Sequence, residues 1–111
     1  MVYVTTPDEP FARAIAESVV GQRLAACANI LPGMQSIYWW NGAVESARES
    51  ILILKTRQDL VDSLSDAIKS MHPYECPCIV ALPIIGGNES FLEWILSETS
   101  PVQEPSRIPS E

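Results

Sequence analysis

The apolar positions of this chain change their spacing several times, and each change predicts a new structural element. Residues 1–6 are rich in β-branched and aromatic side chains, which is typical of a short strand. Phe11, Ile15 and Val19 then recur every four residues, and this spacing predicts a helix with one apolar face. Gly21 is suited to end that helix.

The middle of the chain has the pattern of a long β-hairpin. Strand segments are predicted over 25–31 and 34–40, with Pro32-Gly33 as an interruption between them. Asn41-Gly42 is a strong signal for a two-residue hairpin turn, and the return strand is predicted over 44–56. Both arms are much longer than the usual strand of about five or six residues. One small domain cannot cover such arms, so their edges would be open to pairing with another chain.

The remaining elements complete an α+β arrangement. Apolar residues at helical spacing predict a second helix over 58–71, an apolar run predicts a buried strand over 79–85, and Asn88 can cap a short third helix. The order β-α-β-β-α-β plus a C-terminal helix predicts a ferredoxin-like split βαβ sandwich with an antiparallel sheet. We expect one domain over 1–97 and a Pro/Ser/Glu-rich tail without its own core over 98–111.

Composition excludes several classes of partner. The chain has 111 residues and a formal net charge of −7, and its seven Lys and Arg residues are scattered, which disfavours a nucleic-acid partner. No apolar run approaches the roughly 20 residues of a membrane helix, so no membrane partner is expected. Three cysteines are an odd number and do not form a disulfide framework, and no signal-peptide pattern is present. A cytoplasmic location is the simplest interpretation.

The segment His72-Pro73-Tyr74-Glu75-Cys76-Pro77-Cys78 carries most of the candidate chemistry. It contains the single histidine and two of the three cysteines, and its prolines favour an extended backbone before each of them. In an extended segment, residues two apart point the same way, so both thiols could face one metal ion, with His72 or Glu75 as a third ligand. The alternative is that one cysteine packs as a small hydrophobic residue and the other lies at a loop edge.

Five short pieces of the sequence resemble the CutA family, the divalent-cation-tolerance proteins, in order and at matching spacing. They span roughly residues 3–96 and are Arg23-Leu24-Ala25-Ala26-Cys27, Ser36-Ile37-Tyr38 with Trp40, Glu49 through Lys55-Thr56, His72-Pro73-Tyr74-Glu75 and Trp94-Ile95. The resemblance implies a homotrimer joined through the long hairpins, an assembly similar to the PII signalling proteins. It also implies binding of copper or another divalent metal, and no enzymatic reaction.

Two positions depart from the family pattern. Many members have Glu where this chain has Cys78, and some have a second His where this chain has Met71. Sulfur therefore replaces oxygen and nitrogen donors, which would favour softer ions such as Cu(I). A nucleophilic pair of Cys27 and His72 lacks an evident orienting group in the sequence, so we expect no catalysis.

A ligand cleft between subunits is the second candidate site. The resemblance makes six positions candidates for it: Trp40, Glu49, Lys55, His72, Tyr74 and Glu75. Lys55 follows an apolar run, so its stem is expected to be buried and its amine to need a partner. The aromatic residues before the turn could instead form a packing cluster, and Glu49 and Lys55 could instead form an ion pair between subunits.

Two functions from different classes are compatible with the sequence. One is a trimeric protein that binds copper or another divalent ion through His72, Cys76 and Cys78 and takes part in metal tolerance. The other is a PII-like sensor or scaffold whose clefts bind a small anionic ligand through Lys55 and His72.

Overall fold

A computed structural model describes residues 1–100 of the chain as a single α+β unit. The elements are β1 (Val2–Thr6), α1 (Glu9–Gly21), β2 (Cys27–Trp40), β3 (Ala43–Lys55), a 3-10 turn (Gln58–Leu60), α2 (Val61–Met71), β4 (Ile79–Ala81) and α3 (Glu89–Thr99). The four strands form one antiparallel sheet in the order β2-β3-β1-β4. The predicted α+β class and order of elements are therefore confirmed. The tail predicted for 98–111 lies, from residue 101, outside the described residues.

One face of the sheet carries the core. Side chains alternate across a strand, so Val2 and Val4 of β1 share a face with Leu52 and Leu54 of β3. All four are fully buried, and they pack in one cluster with the apolar stripes of two helices, Ala12, Ile15, Ala16 and Val19 of α1 and Leu64 and Ile68 of α2. The opposite face of the sheet carries neither of these helices. No helix among residues 1–100 is long and apolar enough to cross a membrane.

The long hairpin forms as predicted, but its first arm is continuous. Strand β2 has 14 residues and β3 has 13, and both turn residues between them, Asn41 and Gly42, have positive φ angles. Pro32 and Gly33 do not end the strand. They form a β-bulge in which two residues of β2 oppose Ser50 of β3, and Gly33 has a φ of +79°.

The bulge determines on which face of the sheet each side chain of β2 lies. Before it, Leu31 lies opposite Ile51, and after it, Met34 lies opposite Glu49. The extra residue shifts the alternation by one position, so the even-numbered residues of the outer half of β2 share a face with Glu49. This face is the one opposite the helices.

The prediction of a buried strand over 79–85 is wrong in length and in burial. Strand β4 ends at Ala81, and its pairing with β1 finishes when Leu82 exchanges backbone hydrogen bonds of 2.7 and 3.0 Å with Met1. The strand has no partner beyond the start of β1, and Pro83 lacks the N–H that a ladder needs. Val80 lies opposite Tyr3, on the sheet face without α1 and α2, so its side chain stays exposed in the single chain, as does that of Ile85 beyond the end of β4.

The segment 72–78 follows helix α2 and lies beside strand β1 of the sheet. The helix ends at Met71, and the next residue, His72, has φ −81° and ψ 137° and is therefore extended, as expected for a residue before proline. Beyond it, the backbone N–H of Thr5 donates a 3.3 Å hydrogen bond to the carbonyl of Cys78. These two points fix both ends of the segment beside β1.

Candidate ligand cleft

A cleft of about 640 Å³ lies on the sheet face opposite α1 and α2. Strands β1, β2 and β3 form its floor, and the segment 74–78 forms one wall. Its lining includes six of the eight predicted site residues: Trp40, Glu49, Tyr74, Glu75, Cys76 and Cys78. The other lining residues are Tyr3, Thr5, Met34, Gln35, Ser36, Ile37 and Tyr38. Thus six of the eight predicted residues meet in one place, and His72 and Lys55 do not line it.

A buried carboxylate faces this cleft. Glu49 is only 8% exposed, and its Oε2 accepts a 2.8 Å hydrogen bond from the Tyr74 hydroxyl. Within residues 1–100, no donor reaches its other oxygen, Oε1. A buried carboxylate with one oxygen free is costly unless a ligand or another chain supplies a donor.

The contact with Glu49 changes the chemistry of Tyr74. Burial, then the hydrogen bond to Glu49 and the charge of that carboxylate, raise the pKa of Tyr74 well above its ordinary value of 10.0. The phenol therefore keeps its proton throughout the neutral range. Since its pKa is raised on folding, this proton favours the folded state below pH 10, and the contribution is lost as the pH rises from there through the raised pKa.

The imidazole of His72 is a structural element beside the cleft. The backbone N–H of Tyr74 donates a 3.2 Å hydrogen bond to Nδ1, so Nδ1 is unprotonated and Nε2 carries the proton. Nε2 lies 2.7 Å from the carbonyl oxygen of Thr5 and donates to it. The ring is buried and packs against the Tyr74 ring at a centroid distance of 4.6 Å. Both nitrogens are occupied, so His72 could bind a metal only by giving up one of these bonds.

The two thiols of the segment are accessible. Cys76 and Cys78 are both exposed, unpaired and in the cleft lining, whereas Cys27 is half-buried at the start of β2. Among residues 1–100, no group of three or more His, Cys, Asp and Glu side chains is placed to hold a metal ion. The predicted combination of His72 with both cysteines is thus not assembled here.

Lys55 lies on the same face of β3 as Glu49, but six residues farther along the strand and away from the cleft. It is six residues from Glu49 on β3, which at about 3.4 Å per residue separates the two backbones by roughly 20 Å. Its Nζ donates a hydrogen bond to Asn29 Oδ1, and its side chain is half-buried. Parity along a strand predicts a shared face but carries no information about proximity.

Sequence reasoning missed Met34 and Tyr3 as cleft residues. Met34 lies directly opposite Glu49, and its sulfur accepts a 3.5 Å hydrogen bond from the Tyr3 hydroxyl. The available signal was Pro32-Gly33: interpreted as a bulge rather than an interruption, it would have assigned the even residues after it to the face of Glu49.

Comparisons with known proteins point to one family. A family model described as CutA1 divalent ion tolerance protein matches residues 1–98. The divalent-cation tolerance protein CutA of Thermus thermophilus is 46% identical over 99 residues, covering 89% of this chain and 96% of the relative. Protein CutA 1, chloroplastic, of Oryza sativa subsp. japonica is also 46% identical over 99 residues, covering 89% of this chain and 56% of the relative. The chain therefore spans about half the length of the first plant relatives it matches.

Solved structures agree with this assignment. The divalent cation tolerance protein of Thermus thermophilus superposes with a TM-score of 0.87 at 45% identity, covering 89% of this chain and 96% of that chain. A periplasmic divalent cation tolerance protein CutA from Archaeoglobus fulgidus gives a TM-score of 0.87 at 40% identity, covering 89% and 96%. Relatives are thus described as chloroplastic or periplasmic, and a cytoplasmic location for this chain stays a prediction. The family model, the curated relatives and the solved structures together show that the chain belongs to the CutA1 divalent ion tolerance family.

Proposed function

We propose that this chain takes part in tolerance of metal ions by binding a soft ion, Cu(I) foremost, in the cleft of a homotrimer. The observation that carries the proposal is that the accessible thiols of Cys76 and Cys78 line one cleft together with the thioether of Met34. The family description and the names of the relatives supply the link to divalent cations.

The donor set favours a soft ion over a hard one. Hard ions such as Mg²⁺ and Ca²⁺ are bound by oxygen ligands, whereas the cleft combines the carboxylates of Glu49 and Glu75 with the sulfur atoms of Cys76, Cys78 and Met34. Thiolate and thioether sulfurs select Cu(I). This ion is satisfied by two or three sulfur ligands, so it does not require the larger His, Cys, Asp and Glu cluster that residues 1–100 lack.

The alternative of a PII-like sensor for an anionic metabolite receives no support from the cleft. Its two proposed anion-binding residues, Lys55 and His72, lie outside the lining, and the described lining contains no Lys, Arg or His. A cleft with carboxylates and no cationic side chain repels an anion.

Soft-metal binding should depend on the two thiols. Cu(I) and Zn(II) are expected to bind the reduced protein, Mg(II) and Ca(II) are not, and affinity should fall as the pH drops because binding displaces thiol protons. Anaerobic titration calorimetry of the parent, Cys76→Ser/Cys78→Ser and the matched control Cys27→Ser checks this. We expect the double variant to lose at least about tenfold in Cu(I) affinity, since loss of even a partner that only hydrogen-bonds to a metal ligand typically costs about 10–100-fold, and the control to retain it. Equal Cu(I) affinity in the parent and the double variant would show that the thiols are structural.

The proposed trimer rests on the outer half of the hairpin. In the single chain, Trp39 is 74% exposed, Ile37 76% and Val44 58%, and the edge strand β4 leaves further apolar side chains uncovered. A patch of this kind on a small domain marks an interaction surface. The length and free edges of the hairpin arms supply backbone groups for pairing with a second copy.

Light scattering in dilute neutral buffer is expected to give three times the mass of the chain. Trp39→Asp should shift the protein toward monomer, because burying an unpaired charge in an interface costs several kcal/mol by order of magnitude. Lys69→Asp, an exposed position on α2, is the control and should leave the mass unchanged. A parent protein that is monomeric at micromolar concentration would contradict the proposal.

A further inference from the structure

The free oxygen of Glu49 is the feature of the cleft that metal binding by thiols does not explain. The side chain is more than nine-tenths buried, and the Tyr74 hydroxyl occupies only Oε2. Glu49 is not part of any cluster of His, Cys, Asp and Glu that could hold a metal among residues 1–100. Its Oε1 therefore calls for an N–H or O–H donor from outside the described chain.

Two tyrosine rings lie beside this carboxylate. The Tyr74 hydroxyl is hydrogen-bonded to it, and the Tyr3 hydroxyl contacts Met34, which lies directly opposite it. Tyr38 and Trp40 line the cleft farther along the same face of β2. The faces of aromatic rings, those of Tyr included, attract cations through their quadrupoles. The same aromatic rings can also pack against the apolar part of a ligand.

The negative charge of the cleft lining also favours a positively charged ligand. Its described lining carries the carboxylates of Glu49 and Glu75 and no basic side chain, so a positively charged ligand meets no repulsion there. The volume of about 640 Å³ lies within the range of small-molecule sites, which is roughly 300–1,000 Å³.

We infer that the cleft binds a small organic cation, an ammonium or guanidinium group attached to an apolar body. One N–H of the cation donates to Glu49 Oε1, the rings of Tyr74 and Tyr3 contact its charged head and its apolar part, and the Tyr74 hydroxyl holds the carboxylate in place. This site is separate in its ligands from the thiol site, because it requires Glu49 and the aromatic residues but neither cysteine.

Benzylamine is a suitable probe because two analogues of similar size, benzyl alcohol and benzoate, replace its cationic head group by a neutral and an anionic one. Calorimetric titration of the reduced, metal-free protein should show that benzylamine binds at least about tenfold more tightly than benzyl alcohol, since both can donate a hydrogen bond to the carboxylate but only the ammonium adds the attraction between two opposite charges. Benzoate should not bind. Glu49→Gln should remove this preference for the cation, and Glu45→Gln, an exposed carboxylate on the same face of β3, should leave it unchanged.

The thiol variants separate this inference from the proposed function. Cys76→Ser/Cys78→Ser should lose Cu(I) affinity and keep benzylamine affinity, and Glu49→Gln should show the reverse. If Glu49→Gln does not fold, the carboxyl ¹³C resonance of Glu49 in the parent protein should move on addition of benzylamine. The inference is overturned if benzylamine binds no more tightly than benzyl alcohol, if the Glu49 resonance stays in place, or if Glu49→Gln changes the oligomeric state, which would assign the free oxygen to a contact between copies.

Discussion

Replacement of His72 by alanine is expected to lower the free energy of unfolding by about 2–3 kcal/mol, because it removes two hydrogen bonds and leaves the buried carbonyl of Thr5 and the N–H of Tyr74 without partners. For a chain of this size, each kcal/mol corresponds to roughly 4–8 °C in melting temperature. Thermal unfolding at fixed protein concentration should therefore show a decrease of about 10 °C or more. The effect arises because one imidazole joins the end of α2 to β1.

The matched control is Lys69→Ala on the same helix, whose exposed ammonium forms only a 3.8 Å surface ion pair with Asp66 and should have an effect below about 1 kcal/mol. A different pattern would identify His72 as a metal ligand. In that case, His72→Ala would melt near the parent temperature without metal and lose the stabilisation that added Cu(I) gives the parent.

Deletion of Gly33 is expected to remove the cleft while leaving the inner half of the hairpin intact. Without the extra residue, the outer half of β2 changes parity, and Met34, Tyr38 and Trp40 turn to the other face. A nuclear Overhauser contact between the Met34 methyl group and the Tyr3 ring, expected in the parent, should be absent in the deletion variant. Benzylamine binding should be lost as well.

Gly33→Ala is the control for this deletion. It keeps the residue count and the register, and the added Cβ would meet only the Arg48 guanidinium at an ordinary 3.6 Å. Its cost comes from the φ of +79° and should be about 1–2 kcal/mol, with the cleft contacts preserved. A deletion variant that keeps the Met34–Tyr3 contact would show that the bulge does not set the facing of β2.

Local pattern was sufficient for the elements whose partners lie near them in sequence. The turn at Asn41-Gly42, the spacing of Ile15 and Val19, and the extended backbone before Pro73 each follow from chemistry within a few residues. The length of β4 does not, because it is set by where β1 begins. An apolar run predicts that a strand is possible, but the partner decides where it stops.

The candidate site was predictable in part for the same reason. The motif 72–78 and Glu49 were identified from the sequence, and the structure places Tyr74 in contact with Glu49. The role of His72 was not predictable, since the two backbone groups that occupy its nitrogens include the carbonyl of Thr5, which is 67 positions away along the chain. Lys55 was grouped with Glu49 through the family resemblance, which carries no information about the distance along β3 that separates them.

X-ray absorption at the copper edge of the protein loaded anaerobically with one equivalent of Cu(I) tests the central claim most directly. If the thiols of Cys76 and Cys78 bind the ion with or without Met34, the first coordination shell contains two or three sulfur atoms and no nitrogen or oxygen. A first shell that includes imidazole nitrogen or carboxylate oxygen would contradict the account, because it would place His72, Glu49 or Glu75 on the metal.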